Sequence, residues 1–83
     1  MTLESKIIQR QINYYNYVIQ CIDLYLQKNI EPLQTFLNNL SRLNKGKLVF
    51  GDDFILLIDA YKNDDVKILQ HFVYKFENIL DNI

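Results

Sequence analysis

The chain is poor in the residues from which small proteins build disulfides and metal sites. Its 83 residues include one cysteine, one histidine, one proline, two glycines and no tryptophan. A single cysteine excludes an intrachain disulfide framework and is typical of proteins from a reducing compartment. Structural zinc sites use about four ligands at fixed spacing, drawn mainly from Cys and His. One residue of each kind therefore argues against a metal site.

The sequence also shows no pattern of a signal peptide or of a membrane-spanning segment. The N-terminal Met-Thr-Leu-Glu-Ser-Lys has no basic region followed by an apolar run, so no signal peptide is predicted. The longest apolar run, Phe54 to Ile58, is far shorter than the roughly 20 residues of a membrane span. We therefore expect a soluble, cytoplasmic protein without a membrane segment.

Motifs for catalysis and cofactor binding do not occur at the required spacings. Gly46 and Gly51 lack the spacing and the following Lys-Ser/Thr of a phosphate-binding loop. A calcium loop starting at Asp59 would place Asp64 where glycine is required. His71 is the only possible catalytic histidine, and nothing places Cys21, which lies on an apolar stripe, in the polar, electropositive setting that lowers a thiol pKa. The prediction is no enzyme, no cofactor and no metal.

The charges are divided unevenly along a nearly neutral chain. Residues 1–50 carry six Lys or Arg and three acids, whereas residues 51–83 carry three Lys and seven acids. Opposite charges on the two halves could attract within a bundle, or head-to-tail between chains. A nucleic-acid-binding protein normally has a concentrated basic excess, which this chain lacks.

Apolar spacing of three and four residues predicts an all-α protein with a single domain, residues 1–83. Thr2 is the expected first N-cap, Asn29 and Pro32 mark the first break, Gly46 is a left-handed helix stop, and Asp64 caps the last helix. The predicted helices cover about 3–28, 32–45, 53–62 and 65–82. Residues 47–51 are too short for an independent strand, so we expect an apolar connector laid over the core.

The first predicted helix has apolar residues on more than one side. One stripe contains Ile8, Ile12, Tyr15, Ile19, Ile22 and Leu26, and a second contains Ile7, Tyr14, Val18, Cys21 and Tyr25. The second helix has a single stripe of Leu33, Phe36, Leu37, Leu40 and Leu43. We therefore expect a small antiparallel bundle with the first helix at its centre and a short third helix.

Tyrosines on the first helix provide the main candidate for a binding surface. The second stripe exceeds what the other predicted helices can cover, and protein interfaces are enriched in tyrosine. An ordinary core edge with hydroxyls reaching solvent explains the pattern equally well. The candidate partner-binding residues are Tyr14, Tyr17, Val18, Cys21, Leu24 and Tyr25.

A cluster of aspartates near the predicted third and fourth helices is the alternative candidate. Paired aspartates favour helix N-termini, so capping is the simpler explanation. The other explanation is an acidic patch that docks on a basic partner. Its residues are Asp52, Asp53, Asp59, Asp64 and Asp65.

These features favour a small protein that binds another protein, as an inhibitor or regulator acting by steric occlusion. Ile, Asn, Lys and Tyr form about two fifths of the chain, a bias typical of the AT-rich genomes of low-GC bacteria and their phages. Two alternatives stay open. One is a homodimeric structural or assembly module that self-associates through the first helix, and the other is a nucleic-acid-binding regulator.

Overall fold

The chain folds into a small all-α bundle, as predicted. The structure is a computed structural model, which describes the backbone of residues 3–83 and the side chains of residue 6 and residues 8–83. Within this range there are five helices: α1 Leu3–Leu26, α2 Glu31–Arg42, α3 Gly46–Phe50, α4 Asp53–Lys62 and α5 Val66–Asp81. The predicted N-cap Thr2 lies outside the described residues. No helix of this part of the chain has the length and apolar character needed to cross a membrane.

Helix α1 is the centre of the bundle and packs against both α2 and α5. Val18 and Ile22 have no exposed surface, and Cys21 is 2% exposed. The predicted first stripe is wrong at one end, because Ile8 is 44% exposed. The rest of that stripe, from Ile12 onward, is partly or fully buried.

The turn after α2 differs from the prediction. Asn44, with φ 55°, takes the left-handed position, and asparagine is one of the few non-glycine residues that tolerate it. Gly46 instead opens α3 and is buried. Helix α2 therefore ends at Arg42, and Leu43 follows as its C-cap with 54% of its surface exposed. The prediction that Leu43 continues the buried stripe of α2 is wrong.

The segment predicted as a connector is a helical turn with a core residue. Phe50, the last residue of α3, is 5% exposed. Its ring centroid lies 5.4 Å from that of Tyr15 on α1, 6.1 Å from Phe36 on α2 and 5.5 Å from Phe76 on α5. Aromatic pairs at these separations add stabilisation beyond the area they bury. Phe50 thus links three longer helices, although it belongs to a helix of only five residues.

The start of α5 is also capped one residue later than predicted. Asp65 is the N-cap, and its carboxylate accepts a hydrogen bond from the backbone N–H of Ile68 at 3.3 Å. Asp64 adopts a left-handed φ of 52° in the turn after α4. The side chain of Asp64 is thereby released from capping and can be used elsewhere.

Gly46 gives the first test, because a methyl group there would collide with the ring of Phe54. On helix propensity alone, Gly46→Ala should stabilise the protein by up to about 1 kcal/mol. We expect the opposite sign, a loss of about 1–3 kcal/mol in the free energy of unfolding, because Phe54 is buried and must shift. Urea unfolding followed by circular dichroism measures the change.

A double-mutant cycle with Phe54→Leu provides the control. Because the smaller side chain leaves room for the methyl group, Gly46→Ala should cost less in that background, by at least about 0.5 kcal/mol. Equal effects of Gly46→Ala in both backgrounds would show that the ring is not the obstacle.

Candidate functional site

The second stripe of α1, expected to be left uncovered, is mostly part of the core. Val18, Cys21 and Tyr25 are buried, and Leu24 and Tyr14 are half-buried. Only Tyr17, 51% exposed, presents half of its surface to solvent. The expectation of an uncovered stripe is therefore wrong for its three buried members. Of the six predicted partner-binding residues, Tyr14, Tyr17 and part of Leu24 remain accessible to solvent.

Part of the cover is supplied by α2, whose Phe36 lies beside two tyrosines of α1, and part by α4, whose Tyr61 packs against Tyr25. The ring centroid of Phe36 lies 6.4 Å from that of Tyr14 and 5.1 Å from that of Tyr17. Phe36 itself is 8% exposed. The large aromatic side chain reaches across the helix interface and covers more of α1 than a leucine in the same stripe would.

The exposed edges of these rings form a groove between α1 and α2. This α1–α2 groove has a volume of about 480 Å³ and is lined by Arg10, Asn13, Tyr14, Tyr17, Phe36, Asn39, Leu40 and Leu43. Its floor is aromatic and aliphatic, and Asn13 and Asn39 place amide groups at its margins. Such a mixture of apolar floor and polar rim is typical of protein-binding surfaces.

A smaller depression adjoins the groove and shares two of its residues. It measures about 230 Å³ and is lined by Arg10, Gln11, Tyr14, Lys45, Leu48 and Val49. Leu48, on the outer side of α3, is 81% exposed. Arg10 and Lys45 give this side of the molecule a positive charge, and the described side chains that line the two depressions include no carboxylate. The sequence prediction placed the helix stop at Gly46, whereas the chain turns at Asn44 and leaves Leu43 exposed at the end of α2.

The aspartate cluster is divided among several structural roles. Asp53 forms an ion pair with Lys75 of α5 at 2.7 Å, and Asp65 caps α5. Asp64 accepts a hydrogen bond of 2.5 Å from the hydroxyl of Tyr25. Asp52 occupies the N-cap position of α4, without a side-chain hydrogen bond to that helix. Asp52 and Asp59 are exposed.

Three of these aspartates line a second groove, between α4 and α5. This α4–α5 groove has a volume of about 240 Å³, and its lining consists of Asp53, Leu56, Asp59, Ala60, Asn63, Asp65, Ile68, His71, Phe72 and Lys75. Leu56 and Ile68 are 53% and 43% exposed. Apolar side chains therefore lie next to carboxylates on this side of the bundle.

The pKa values of Tyr25 and Cys21 on α1 are raised by hydrogen bonding and by burial. The hydrogen bond to Asp64, together with desolvation, raises the pKa of Tyr25 to about 12. Burial raises the pKa of the Cys21 thiol, and the Tyr17 hydroxyl offsets part of that shift. A raised thiol pKa disfavours the nucleophilic thiolate. Among the described residues, no three His, Cys, Asp or Glu side chains are placed to hold a metal ion.

Comparison of the chain with models of protein families, with curated proteins and with solved structures finds no match.

The Tyr25–Asp64 hydrogen bond gives a second prediction. It joins the C-terminal part of α1 to the turn before α5, and hydrogen bonds to charged groups contribute about 1.5–3 kcal/mol. We expect Tyr25→Phe to lower the free energy of unfolding by about 1–2 kcal/mol at pH 8. Tyr74→Phe, at a position 73% exposed, is the matched control and should change it by less than about 0.5 kcal/mol.

The same pair predicts a pH dependence. The pKa of Tyr25 is about 12 when folded and about 10 when unfolded, so the bond stabilises fully below pH 10. Its contribution should fall as the pH rises from about 10 towards 12. Urea unfolding of wild type and Tyr25→Phe at several pH values isolates this residue, because the other tyrosines are common to both. A difference between the two proteins that stays constant through pH 11 would contradict the assignment.

Proposed function

We propose that this protein acts by binding another protein through the α1–α2 groove, without catalysing a reaction. The observation that carries the proposal is the groove itself. Tyr17 and Leu43 keep half of their surfaces exposed on either side of Phe36, next to Tyr14. Exposed apolar residues gathered in one depression are typical of interaction sites, whereas isolated ones are ordinary.

The shape and charge of the groove favour an amphipathic segment as the occupant. A groove between two neighbouring helices can accept a helix whose apolar residues recur at three and four positions. Arg10 lines the groove and Lys45 lines the depression that adjoins it, so carboxylates flanking that apolar face would meet opposite charges. The proposed partner therefore presents an apolar helix face bordered by acidic residues.

The proposed role is that of an inhibitor or regulator, because a chain this small can act on its partner by steric occlusion. A protein of 83 residues that covers a surface of its partner blocks access to that surface by steric occlusion. The compositional bias adds the proposal of a phage or mobile-element setting, where small inhibitors of this kind act on host proteins.

A homodimer formed through α1 alone has less support, because Ile8 and Tyr17 are its large exposed apolar residues among those described.

The third prediction concerns the double variant Tyr17→Ser with Leu43→Ser. Both side chains are exposed by more than half, so the fold should be retained while the apolar walls of the groove are removed. Affinity purification from the native host identifies the partner, and isothermal titration with the purified proteins then measures Kd. We expect at least about a 100-fold weaker Kd, equivalent to about 2.7 kcal/mol.

The matched control is Tyr74→Ser with Ile55→Ser, which removes a similar exposed apolar area outside the α1–α2 groove. Its Kd should stay within about threefold of wild type. Wild-type affinity for the groove variant, or an equal loss for the control, would refute the α1–α2 groove as the contact surface.

A further inference from the structure

The two grooves of the bundle carry opposite charges. Arg10 lines the α1–α2 groove and Lys45 lines the depression that adjoins it, and the described side chains of these two linings include no carboxylate. The α4–α5 groove is lined by Asp53, Asp59 and Asp65, and its one lysine is paired with Asp53. The grooves share no lining residue, because they are built from different pairs of helices.

Both grooves are lined by exposed apolar side chains in addition to their charged residues. Tyr17 and Leu43 are 51% and 54% exposed on the basic side, and Leu56 and Ile68 are 53% and 43% exposed on the acidic side. The acidic side therefore presents a face on which exposed apolar residues of two helices lie beside carboxylates, and its charge is complementary to that of the α1–α2 groove. That face belongs to this chain itself.

We propose that the α4–α5 face of one copy docks in the α1–α2 groove of a second copy, so that the protein self-associates head-to-tail. Contact between two identical faces would place Arg10 near Arg10, or Asp59 near Asp59, and like charges oppose association. Contact between unlike faces pairs the charges. Because each copy in such a contact retains one unused face, further copies can add.

Self-association of this kind goes beyond the proposed function, although it uses the same groove. A partner that fills the α1–α2 groove would displace the second copy, so partner binding would dissociate the assembly. The self-association itself requires only the purified protein. Its failure can therefore be told apart from a failure of partner binding.

Sedimentation velocity from about 5 to 500 µM, in 50 and 500 mM NaCl, is the test. We expect the weight-average sedimentation coefficient to rise with concentration at low salt. The association should weaken about tenfold at high salt, since the screening length falls as salt is added. A protein that stays monomeric at 500 µM and low salt would overturn the proposal.

Two charge reversals test which faces meet. Arg10→Glu and Asp59→Lys each place like charges across the proposed contact, so each variant alone should associate at least tenfold more weakly. A mixture of the two variants should associate again, because Arg10 of one then meets Asp59 of the other. The double variant Arg10→Glu with Asp59→Lys should also recover association on its own, which shows in addition that both changes are compatible with folding.

Two control variants, and a dimer with a different contact geometry, predict different results. Lys28→Glu and Asp81→Lys make the same charge changes outside both grooves and should leave association unchanged. A dimer through two α1–α2 grooves would instead be insensitive to Asp59→Lys, and that result would overturn the head-to-tail contact. Asp59→Lys should keep wild-type affinity for a partner that binds the α1–α2 groove. If Asp59→Lys instead weakens partner binding, the acidic face takes part in that binding, and the α1–α2 groove of the proposed function, rather than the contact between copies, would be refuted.

Discussion

Everything else in this fold depends on the burial of the middle of α1 from two sides at once. Val18 and Ile22 are completely inaccessible because α2 covers one side of the helix and α5 the other. A small chain buries a limited fraction of its surface, so a helix that contributes two apolar faces supplies much of the available hydrophobic stabilisation. Phe50 then closes the end of the bundle by touching α1, α2 and α5 together. The grooves are what these contacts leave uncovered.

The helices could be predicted from the sequence because each has a strong local signal. Pro32 lies in the first turn of α2, where its missing N–H is not needed, and α4 begins at the predicted Asp53. The sequence was ambiguous where two neighbouring residues could both occupy the same turn or capping position. Asn44 rather than Gly46 adopts the left-handed turn, and Asp65 rather than Asp64 caps α5. Each choice depends on tertiary contacts, such as the packing of Phe54 on Gly46 and the bond from Tyr25 to Asp64.

The candidate site was harder to predict, because exposure depends on how far neighbouring side chains reach. Periodicity assigned two apolar stripes to α1, but it did not show that Val18 and Cys21 would be buried while Tyr17, whose ring packs on Phe36, stays 51% exposed. It also did not show that Leu43 would leave the core once α2 ended at Arg42. Of the six predicted contact residues, Tyr14 and Tyr17 line the observed groove, and their neighbours in it come from α2. The structure thus places two of the predicted tyrosines in this groove and the other predicted residues outside its lining.

The reactivity of Cys21 tests the covering of α1 most directly, because it is the only thiol in the chain. Cys21 is 2% exposed, so a thiol reagent should reach it only after the bundle opens. Labelling of the native protein with a disulfide reagent at pH 8 should be at least about a hundredfold slower than labelling of the urea-unfolded chain. Native labelling at nearly the unfolded rate would contradict the account, because the second stripe of α1 would then be open to solvent.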